Sequence, residues 1–397
     1  MVENSKMHPE RTTAPLKIMG IISACGGGDW PPLLSLAFGM KARGHDVLMV
    51  CDEGTKAAVL SAGLSTLCLP HKFNLSGLFN PVLQRIFSTG EPLTSMTPNP
   101  LQEWAKKTAM YVEKKLGKWK PDCILGSLLC IESGRVMAER FKCPWCFVNP
   151  GFHFGDTTAR PRKMDLSYIG ALMYEHWLLP PLQEATLVLH ATDPMFDNVH
   201  ASLPSNHFYT GPLFWEMPAR IPAYLNEPGP PWVLISLSTA PQVEEIKIVQ
   251  ASLGALENQA VRILVTLPPG HEQLPFPTLS DNVFMERYVP HSIALQVSSL
   301  AICHAGHGIV IKSIYQGTPM VLVPWGRDQP GVASRAKAMG VASVVNRRDC
   351  NAATLQRAIQ KTMASPEIIL RSRCESRRLK KMDSLAFACT RLEKINS

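Results

Sequence analysis

The sequence predicts an α/β protein with two domains, each built on a parallel β-sheet. The chain has 397 residues, about the length of two ordinary domains. Short apolar runs alternate with helical patterns in both halves, and a proline-rich stretch separates the halves. With 46% hydrophobic and 18% charged residues, the composition is typical of a globular protein and excludes disorder, collagen and a simple coiled coil.

The first half begins with a strand–helix–strand unit. Apolar runs at 18–24 and 46–51 flank the stretch 32–43, in which apolar residues have helical spacing. Such units form parallel sheets with right-handed crossovers. Further strand-sized runs follow at 123–125, 145–148 and 187–190.

The second half repeats this pattern after a linker. Six prolines lie between positions 212 and 231, a density that neither a helix nor a central strand tolerates. Strand-sized runs then follow at 232–237, 262–267, 283–285, 300–303 and 320–323. We therefore place a flexible tail at 1–15, a first domain at 16–215, the linker at 216–231, a second domain at 232–375 and a C-terminal helix at 376–397. The two domains are expected to face each other across a cleft.

The net charge, the apolar runs and the cysteines indicate which partners and which cell compartment to expect. Lys and Arg number 40 against 32 Asp and Glu, a net charge of +8, but no zinc-finger or RNA-binding motif accompanies it, so we predict no nucleic-acid partner. No run reaches the roughly 18 apolar residues of a membrane span, so no integral membrane segment is predicted; peripheral contact with a membrane stays open. The 11 scattered cysteines favour reduced thiols and a cytoplasmic location.

The most informative motif is His304-Ala305-Gly306-His307-Gly308, which directly follows an apolar strand. Its glycines let the backbone approach a ligand closely, and the N–H groups of the helix that follows can bind phosphate. His304 can add a hydrogen-bond donor or a positive charge. Because the spacing matches neither the P-loop nor the dinucleotide fingerprint, this motif alone leaves phosphate binding open.

Two further groups also follow strands of the second half. The acid–amide pair Asp328-Gln329 can hydrogen-bond vicinal hydroxyls, and the ring of Tyr288 can stack on a base. Ligands of open α/β sheets bind in the crevice outside the carboxyl ends of the strands, where these residues are expected.

Taken in order, these motifs resemble the family 1 nucleotide-sugar glycosyltransferases, from about residue 16 onward. The segments that carry the resemblance are 210–213 (Thr-Gly-Pro-Leu), 288–291 (Tyr-Val-Pro-His), 304–308, Gly317-x-Pro319, Pro324 and Asp328-Gln329. The resemblance implies two facing Rossmann-like domains, the GT-B fold. It also implies that the first domain binds the acceptor, that the second binds the nucleotide sugar, and that the C-terminal helix packs back on the first.

The resemblance implies a donor site in the second domain. His304 would contact the diphosphate, Tyr288 would stack on the base, and Asp328 with Gln329 would hold the transferred sugar. The implied donor-binding residues are Thr239, Tyr288, Val289, His304, Gly306, His307, Gly308, Lys312, Asp328 and Gln329.

Asp29 is the predicted catalytic base. The segment 28–33 (Gly-Asp-Trp-Pro-Pro-Leu) is similar to a family segment in which a histidine usually has that role. Aspartate stands there in the branch that modifies antibiotics, macrolides among them, and sterols. His153 is predicted to assist. A helix-capping role is the alternative for Asp29, and a helix N-terminus would favour its charged form and weaken it as a base.

Aromatic residues of the first domain are predicted to line an apolar acceptor pocket. The predicted acceptor-binding residues are Trp30, Phe79, Phe87, Asn149, Phe152 and Phe154. Packing in the core remains the alternative for them.

Together, these features predict an inverting, metal-independent transfer of a sugar from a UDP- or dTDP-sugar to an apolar small molecule, such as a polyketide, macrolide or sterol-like compound. The nucleotide sugar is a co-substrate, and no cofactor is predicted. Lys312 stands where many members carry a glutamate for the ribose hydroxyls, Ile309 replaces a serine or threonine, and Ser238 replaces a glycine. These departures leave the nucleotide open and motivate an alternative function, a non-catalytic auxiliary protein that acts through a partner enzyme.

Overall fold

The protein folds around two parallel β-sheets with helices packed on both faces. The computed structural model describes residues 14–75, 77, 100–152, 179–197, 203–239, 242, 244–267 and 280–396. The predicted α/β class, with two sheets of parallel strands, is confirmed.

The first sheet has seven strands in the order β3-β2-β1-β4-β5-β6-β7, and every pair is parallel. The strands are β1 (Lys17–Ile21), β2 (Asp46–Cys51), β3 (Ser65–Cys68), β4 (Cys123–Gly126), β5 (Trp145–Asn149), β6 (Leu187–His190) and β7 (His207–Tyr209). The described helices of this half are α1 (Pro31–Ala42), α2 (Glu53–Ser61), α3 (Pro100–Leu116), α4 (Ile131–Phe141), α5 (Leu179–Gln183) and α6 (Pro194–Asp197).

The second sheet has six parallel strands in the order β10-β9-β8-β11-β12-β13. The strands are β8 (Trp232–Ser236), β9 (Arg262–Thr266), β10 (Val283–Glu286), β11 (Ser298–Cys303), β12 (Met320–Leu322) and β13 (Ala342–Val344). The helices are α7 (Lys247–Leu256), α8 (His291–Val297), α9 (His307–Gln316), α10 (Gln329–Ala338), α11 (Ala352–Ala364), α12 (Pro366–Leu379) and α13 (Ser384–Glu393).

Both faces of each sheet are covered, which explains why the strands are continuous apolar runs. In β1, Ile18 and Met19 are both fully buried but belong to different core clusters, Ile18 with Leu33 of α1 and Met19 with Trp104 of α3. Successive side chains of a strand point to opposite faces, so a strand buried on both sides needs an apolar residue at every position.

The C-terminal segment, predicted as one helix over 376–397, forms parts of two helices. α12 ends at Leu379 and α13 begins at Ser384, where the Asp383 side chain accepts a hydrogen bond from the backbone N–H of Ala386 at 3.3 Å. α13 lies against α1 of the first half, and the buried carboxylate of Glu393 lies 3.0 Å from Arg43 Nη1 and 3.1 Å from His45 Nε2. The chain therefore crosses from the second sheet to the first through the turn between these helices.

Within the described ranges, no helix is both long enough and apolar enough to span a membrane.

Candidate active site

The carboxyl ends of the two sheets meet through loops that follow β5, β6 and β11. Thr192 Oγ1, after β6, lies 3.0 Å from Nε2 of His307 at the start of α9. The ring of Phe152, after β5, meets the His307 ring edge-on, with centroids 5.2 Å apart. Because the carboxyl ends of parallel strands share one edge of a sheet, the loops after β1 and β4 lie on this edge of the first sheet and the loops after β10 and β12 on this edge of the second.

Asp29 lies in the loop after β1 and is 5% exposed. Its Oδ2 accepts a hydrogen bond from the backbone N–H of Leu129 at 3.0 Å, and the Ser127 side chain and the N–H of Asp29 itself also interact with the carboxylate. Burial raises the pKa of Asp29 to about 6, although the Leu129 N–H opposes the shift. The Leu129 N–H thus holds one oxygen of the carboxylate in place.

The helix-capping alternative for Asp29 is wrong. The N-cap of α1 is Trp30, which makes no side-chain cap hydrogen bond, and Pro31 and Pro32 follow at the first helical positions. Proline has no backbone N–H, so the first turn offers little for a capping carboxylate to bind. The helix N-terminus was expected to weaken Asp29 as a base, but desolvation raises its pKa to about 6 instead.

A second buried carboxylate, Asp52, shapes the loop that carries Asp29. It accepts hydrogen bonds from Ser23 Oγ at 2.6 Å and from the Ala24 N–H at 2.9 Å, and it caps α2 through the N–H of Thr55 at 3.1 Å. The negative charge of Asp52 also contributes to the raised pKa of Asp29. Asp52 was not among the predicted site residues, although its position directly after the apolar run 46–51 is a signal in the sequence.

His304 is buried in the loop after β11, with 7% of its surface exposed. Its Nδ1 lies 3.6 Å from Glu245 Oε1 and has no hydrogen-bond partner. Burial lowers the pKa of His304 to about 4, so the imidazole is neutral at physiological pH. The sequence suggested a hydrogen-bond donor or a positive charge for His304; burial removes the positive charge, and the ring makes a hydrogen bond to the backbone of Ser236.

A side chain at Gly306, two residues after His304, is excluded for a steric reason. A Cβ built on Gly306 would lie 2.4 Å from His304 Nε2, whereas one on Gly308 would meet nothing within 4 Å. Gly306 is the N-cap of α9 and supplies no side-chain cap, so the first N–H groups of this helix have no side-chain cap and can bind an anion.

His307, predicted to bind the donor, lies at the contact between the two halves. It is 8% exposed, and its ring lies among Thr192, Phe152 and Phe196 of the first half. Burial lowers the pKa of His307 to about 4. Its side chain is turned toward the loops of the first sheet, so a contact with the donor falls to the backbone at this position.

Asp328 and Gln329 lie at the start of α10 and differ in accessibility. Gln329 is 2% exposed, and its Oε1 accepts hydrogen bonds from the N–H groups of Trp325 and Gly326 at 2.8 and 2.9 Å. Asp328 is exposed and makes no cap hydrogen bond. The carbonyl of Gln329 therefore shapes the turn, whereas neighbouring protein atoms partly desolvate the carboxyl group of Asp328 and raise its pKa.

The predicted nucleoside end of the site lies around Tyr288. Tyr288 is 45% exposed and donates a hydrogen bond from its hydroxyl to the carbonyl of Met217 at 3.1 Å, whereas Val289 is 1% exposed. Lys312 Nζ lies 2.8 Å from Glu216 Oε1. Thr239, an exposed residue after β8, also lies on the carboxyl edge of the second sheet.

The predicted acceptor residues are placed only in part. Asn149 is 1% exposed, and its Nδ2 lies 2.8 Å from the Phe152 carbonyl and 3.0 Å from His190 Nδ1, so it holds the loop that carries Phe152. Trp30 and Phe152 are partly buried. His153, Phe79, Phe87 and Phe154 lie outside the described residues.

Three charged residues near the predicted donor site were not predicted from the sequence. Glu245, whose side chain is fully buried, accepts hydrogen bonds from the N–H groups of Ser238 and Gln242 at 2.7 and 3.2 Å and so shapes the loop after β8. Arg327, with a φ of +58°, interacts electrostatically with His304 and Glu245. Glu216 lies in the linker. Only Arg327, next to Asp328, had a signal in the sequence.

Comparison with known proteins shows that this chain is similar to glycosyltransferases. Residues 247–385 match the glycosyltransferase family 28 C-terminal domain. The NDP-glycosyltransferase YjiC of Bacillus subtilis is 19% identical over 91% of this chain and 93% of its own. The O-mycaminosyltylonolide 6-deoxyallosyltransferase of Streptomyces fradiae is 22% identical over 87% of this chain and 90% of its own.

This chain has the GT-B fold and resembles nucleotide-sugar glycosyltransferases along almost its whole length. The crystal structure of the spinosyn rhamnosyltransferase SpnG matches it with a TM-score of 0.74 at 17% identity, over 96% of this chain and 100% of that one. The SnogD glycosyltransferase of Streptomyces nogalater matches with a TM-score of 0.71 at 17% identity, over 96% of this chain and 100% of that one. The predicted resemblance to the antibiotic-modifying branch is thus confirmed, and the comparisons favour an enzyme over an auxiliary protein.

Proposed function

We propose that this glycosyltransferase moves a sugar, with inversion and without a metal, from a UDP- or dTDP-sugar to a hydroxyl of an apolar small molecule. Relatives named for macrolide and spinosyn products support an apolar natural-product acceptor. One similar structure, of SpnG, holds thymidine diphosphate, and another holds spinosyn aglycone.

The state of Asp29 is the observation that carries this proposal. An acceptor hydroxyl must lose its proton as it attacks the anomeric carbon, and a positioned base typically contributes about 10²–10⁴-fold to the rate. A buried carboxylate with a pKa of about 6, one oxygen of which is anchored by the Leu129 N–H, suits that role. The bond from the anomeric carbon to the diphosphate breaks on the opposite face of the sugar.

The opposite edge of the cleft supports the departing diphosphate. The N–H groups at the start of α9 act as preorganised dipoles next to the His304 ring. Arg327 supplies a positive charge in electrostatic reach of His304. These groups account for leaving-group stabilisation without a metal.

The test is transfer by the purified protein from UDP-glucose and dTDP-glucose to a panel of macrolide and polyketide aglycones. We expect product with inverted anomeric configuration, detected by mass spectrometry and NMR, at a rate that EDTA does not change. Binding of nucleoside diphosphate without turnover on any acceptor would favour the auxiliary alternative. Loss of activity in EDTA would contradict the metal-independent mechanism.

The Asp29→Asn variant tests the catalytic base. Asparagine keeps the size of the side chain and an oxygen for the Leu129 N–H but cannot take a proton. We expect kcat to fall about tenfold or more, with the Kd for UDP or dTDP nearly unchanged. As a matched control, Asp122→Asn replaces an aspartate whose Oδ2 accepts from the Lys17 N–H at the amino edge of the sheet, far from the cleft, and should retain kcat.

A further inference from the structure

The segment 214–217 at the start of the linker lies between the two halves and contacts both in alternation. Phe214 packs edge-on against Tyr315 of α9 with centroids 5.2 Å apart, and Trp215 packs against Phe38 of α1 at 5.4 Å. Glu216 contacts α9 again, through Lys312. Met217 returns to the first half, where its sulfur lies 3.4 Å from Ser61 Oγ. This period of two is that of an extended chain, so alternate side chains face opposite domains.

Glu216 is bound at two elements of the second half. Its Oε1 pairs with Lys312 Nζ of α9 at 2.8 Å, and its carboxylate accepts hydrogen bonds from the backbone N–H of Ser292, at 3.2 Å, and from the Ser292 hydroxyl. Burial alone would raise the pKa of Glu216, but Lys312 and Ser292 outweigh it and hold the pKa below its ordinary value. The carboxylate is therefore charged at neutral pH and anchors the lysine.

The pair lies next to the predicted base-stacking residue. The carbonyl of Met217, one residue after Glu216, accepts the hydrogen bond from the Tyr288 hydroxyl at 3.1 Å. The side chain of Lys312 is 18% exposed and that of Glu216 14% exposed. An ammonium has three N–H donors, so after its bond to Glu216 that of Lys312 retains donors for a ligand.

We propose that Glu216 is a positioning residue of the donor site, holding Lys312 so that its ammonium donates to an oxygen of the donor's nucleoside. The inference rests on the proposed function and deepens it, because it gives the linker a share in nucleotide recognition. A lysine is a flexible point charge, and its pairing with an anchored carboxylate restricts it to one place. Truncating Glu216 should therefore weaken nucleoside recognition only while Lys312 is present.

The experiment is a double-mutant cycle of Glu216→Gln, Lys312→Met and the double variant, with Kd measured by calorimetry for UDP, 2′-deoxy-UDP and dTDP. We expect each single variant to bind UDP about tenfold more weakly, and the double variant to bind no more weakly than Lys312→Met alone. Inorganic pyrophosphate, measured as a competitor of UDP, should lose less than twofold in each variant. If 2′-deoxy-UDP loses nothing in Lys312→Met, the oxygen is that of the ribose 2′-hydroxyl; a loss equal to that of UDP assigns another nucleoside oxygen.

The control variant is Glu53→Gln, which removes an exposed carboxylate paired with Lys56 at 3.3 Å on α2. It should leave every Kd unchanged, and thermal unfolding without ligand shows whether any variant is merely unfolded. Independent, additive losses in the two single variants, an unchanged Kd for UDP in Glu216→Gln, or an equal loss for pyrophosphate would overturn the inference. A wild-type protein that binds no nucleoside diphosphate would instead overturn the proposed function.

Discussion

Thr192 Oγ1 lies 3.0 Å from His307 Nε2, and this contact joins the loop after β6 of one sheet to the helix that follows β11 of the other. Both residues are buried, Thr192 fully and His307 with 8% of its surface exposed. The start of the predicted phosphate-binding helix is therefore held by the domain predicted to bind the acceptor.

The Thr192→Val variant tests this contact. Valine has nearly the shape of threonine but leaves Nε2 of the buried His307 without its partner, which costs about 1–3 kcal/mol. We expect a lower unfolding midpoint in urea and a lower kcat, because the two domains lose a contact that fixes their relative position. Thr192→Ser keeps the hydroxyl and should retain both; a Val variant indistinguishable from wild type would show that the contact is incidental.

The pH dependence of the reaction follows from the pKa of Asp29. Because the base must be deprotonated and its pKa is about 6, kcat/KM should rise with pH through about 6 and level off above 7. Burial lowers the pKa values of His291, His304 and His307 to about 4, so these groups do not titrate in that interval. A pH–rate profile checks this, and the residual activity of Asp29→Asn should lack the rise.

Asp29 should also make the folded protein less stable above pH 6. Folding raises the pKa of Asp29. The stability that this residue contributes is therefore fully present below its ordinary pKa of 3.8 and is lost as the pH rises through about 6. At pH 8, Asp29→Asn should therefore unfold at a higher temperature than wild type, and its free energy of unfolding should be larger by up to about 3 kcal/mol. At pH 4 the two should differ little. Equal stability at pH 8 would contradict the burial of a charge at Asp29.

The pair Gly306 and Gly308 allows a steric test of His304. In Gly306→Ala the new methyl would lie 2.4 Å from His304 Nε2 and must displace the imidazole, whereas the backbone, with a φ of −65°, accepts alanine. We expect weaker binding of UDP, close to the loss in His304→Ala, with little change in thermal unfolding. Gly308→Ala meets no protein atom within 4 Å and should bind UDP more tightly than Gly306→Ala. The opposite ranking would remove His304 from the donor site.

A buried carboxylate ties the C-terminal helices to the first domain. Asp193 is fully buried, its Oδ1 lies 2.9 Å from Arg378 Nη1 of α12, and its Oδ2 accepts from the Phe196 N–H at 3.1 Å. Arg378→Met should lower the free energy of unfolding by about 2 kcal/mol, because Asp193 then loses its charged donor. Arg373→Met, an exposed arginine on the same helix, should change it little. Urea denaturation of both variants makes the comparison.

The fold class and the order of the motifs could be predicted from the sequence. The apolar runs at 18–24 and 300–303 predict strands buried on both faces, and the two sheets contain them as β1 and β11. The family resemblance was also visible there, because it rests on residue types at fixed spacing along the chain. These signals are local, and a linear pattern is enough to carry them.

The electrostatic state of the site, in contrast, depends on the folded chain. The cause of the raised pKa of Asp29 is its enclosure by the loop after β4, and the Leu129 N–H that binds it lies 100 positions away. The pairing of Glu216 with Lys312 joins residues 96 positions apart. Desolvation and ion pairing depend on which segments the folded chain brings together, so no pattern around Asp29 or Glu216 alone could have predicted them.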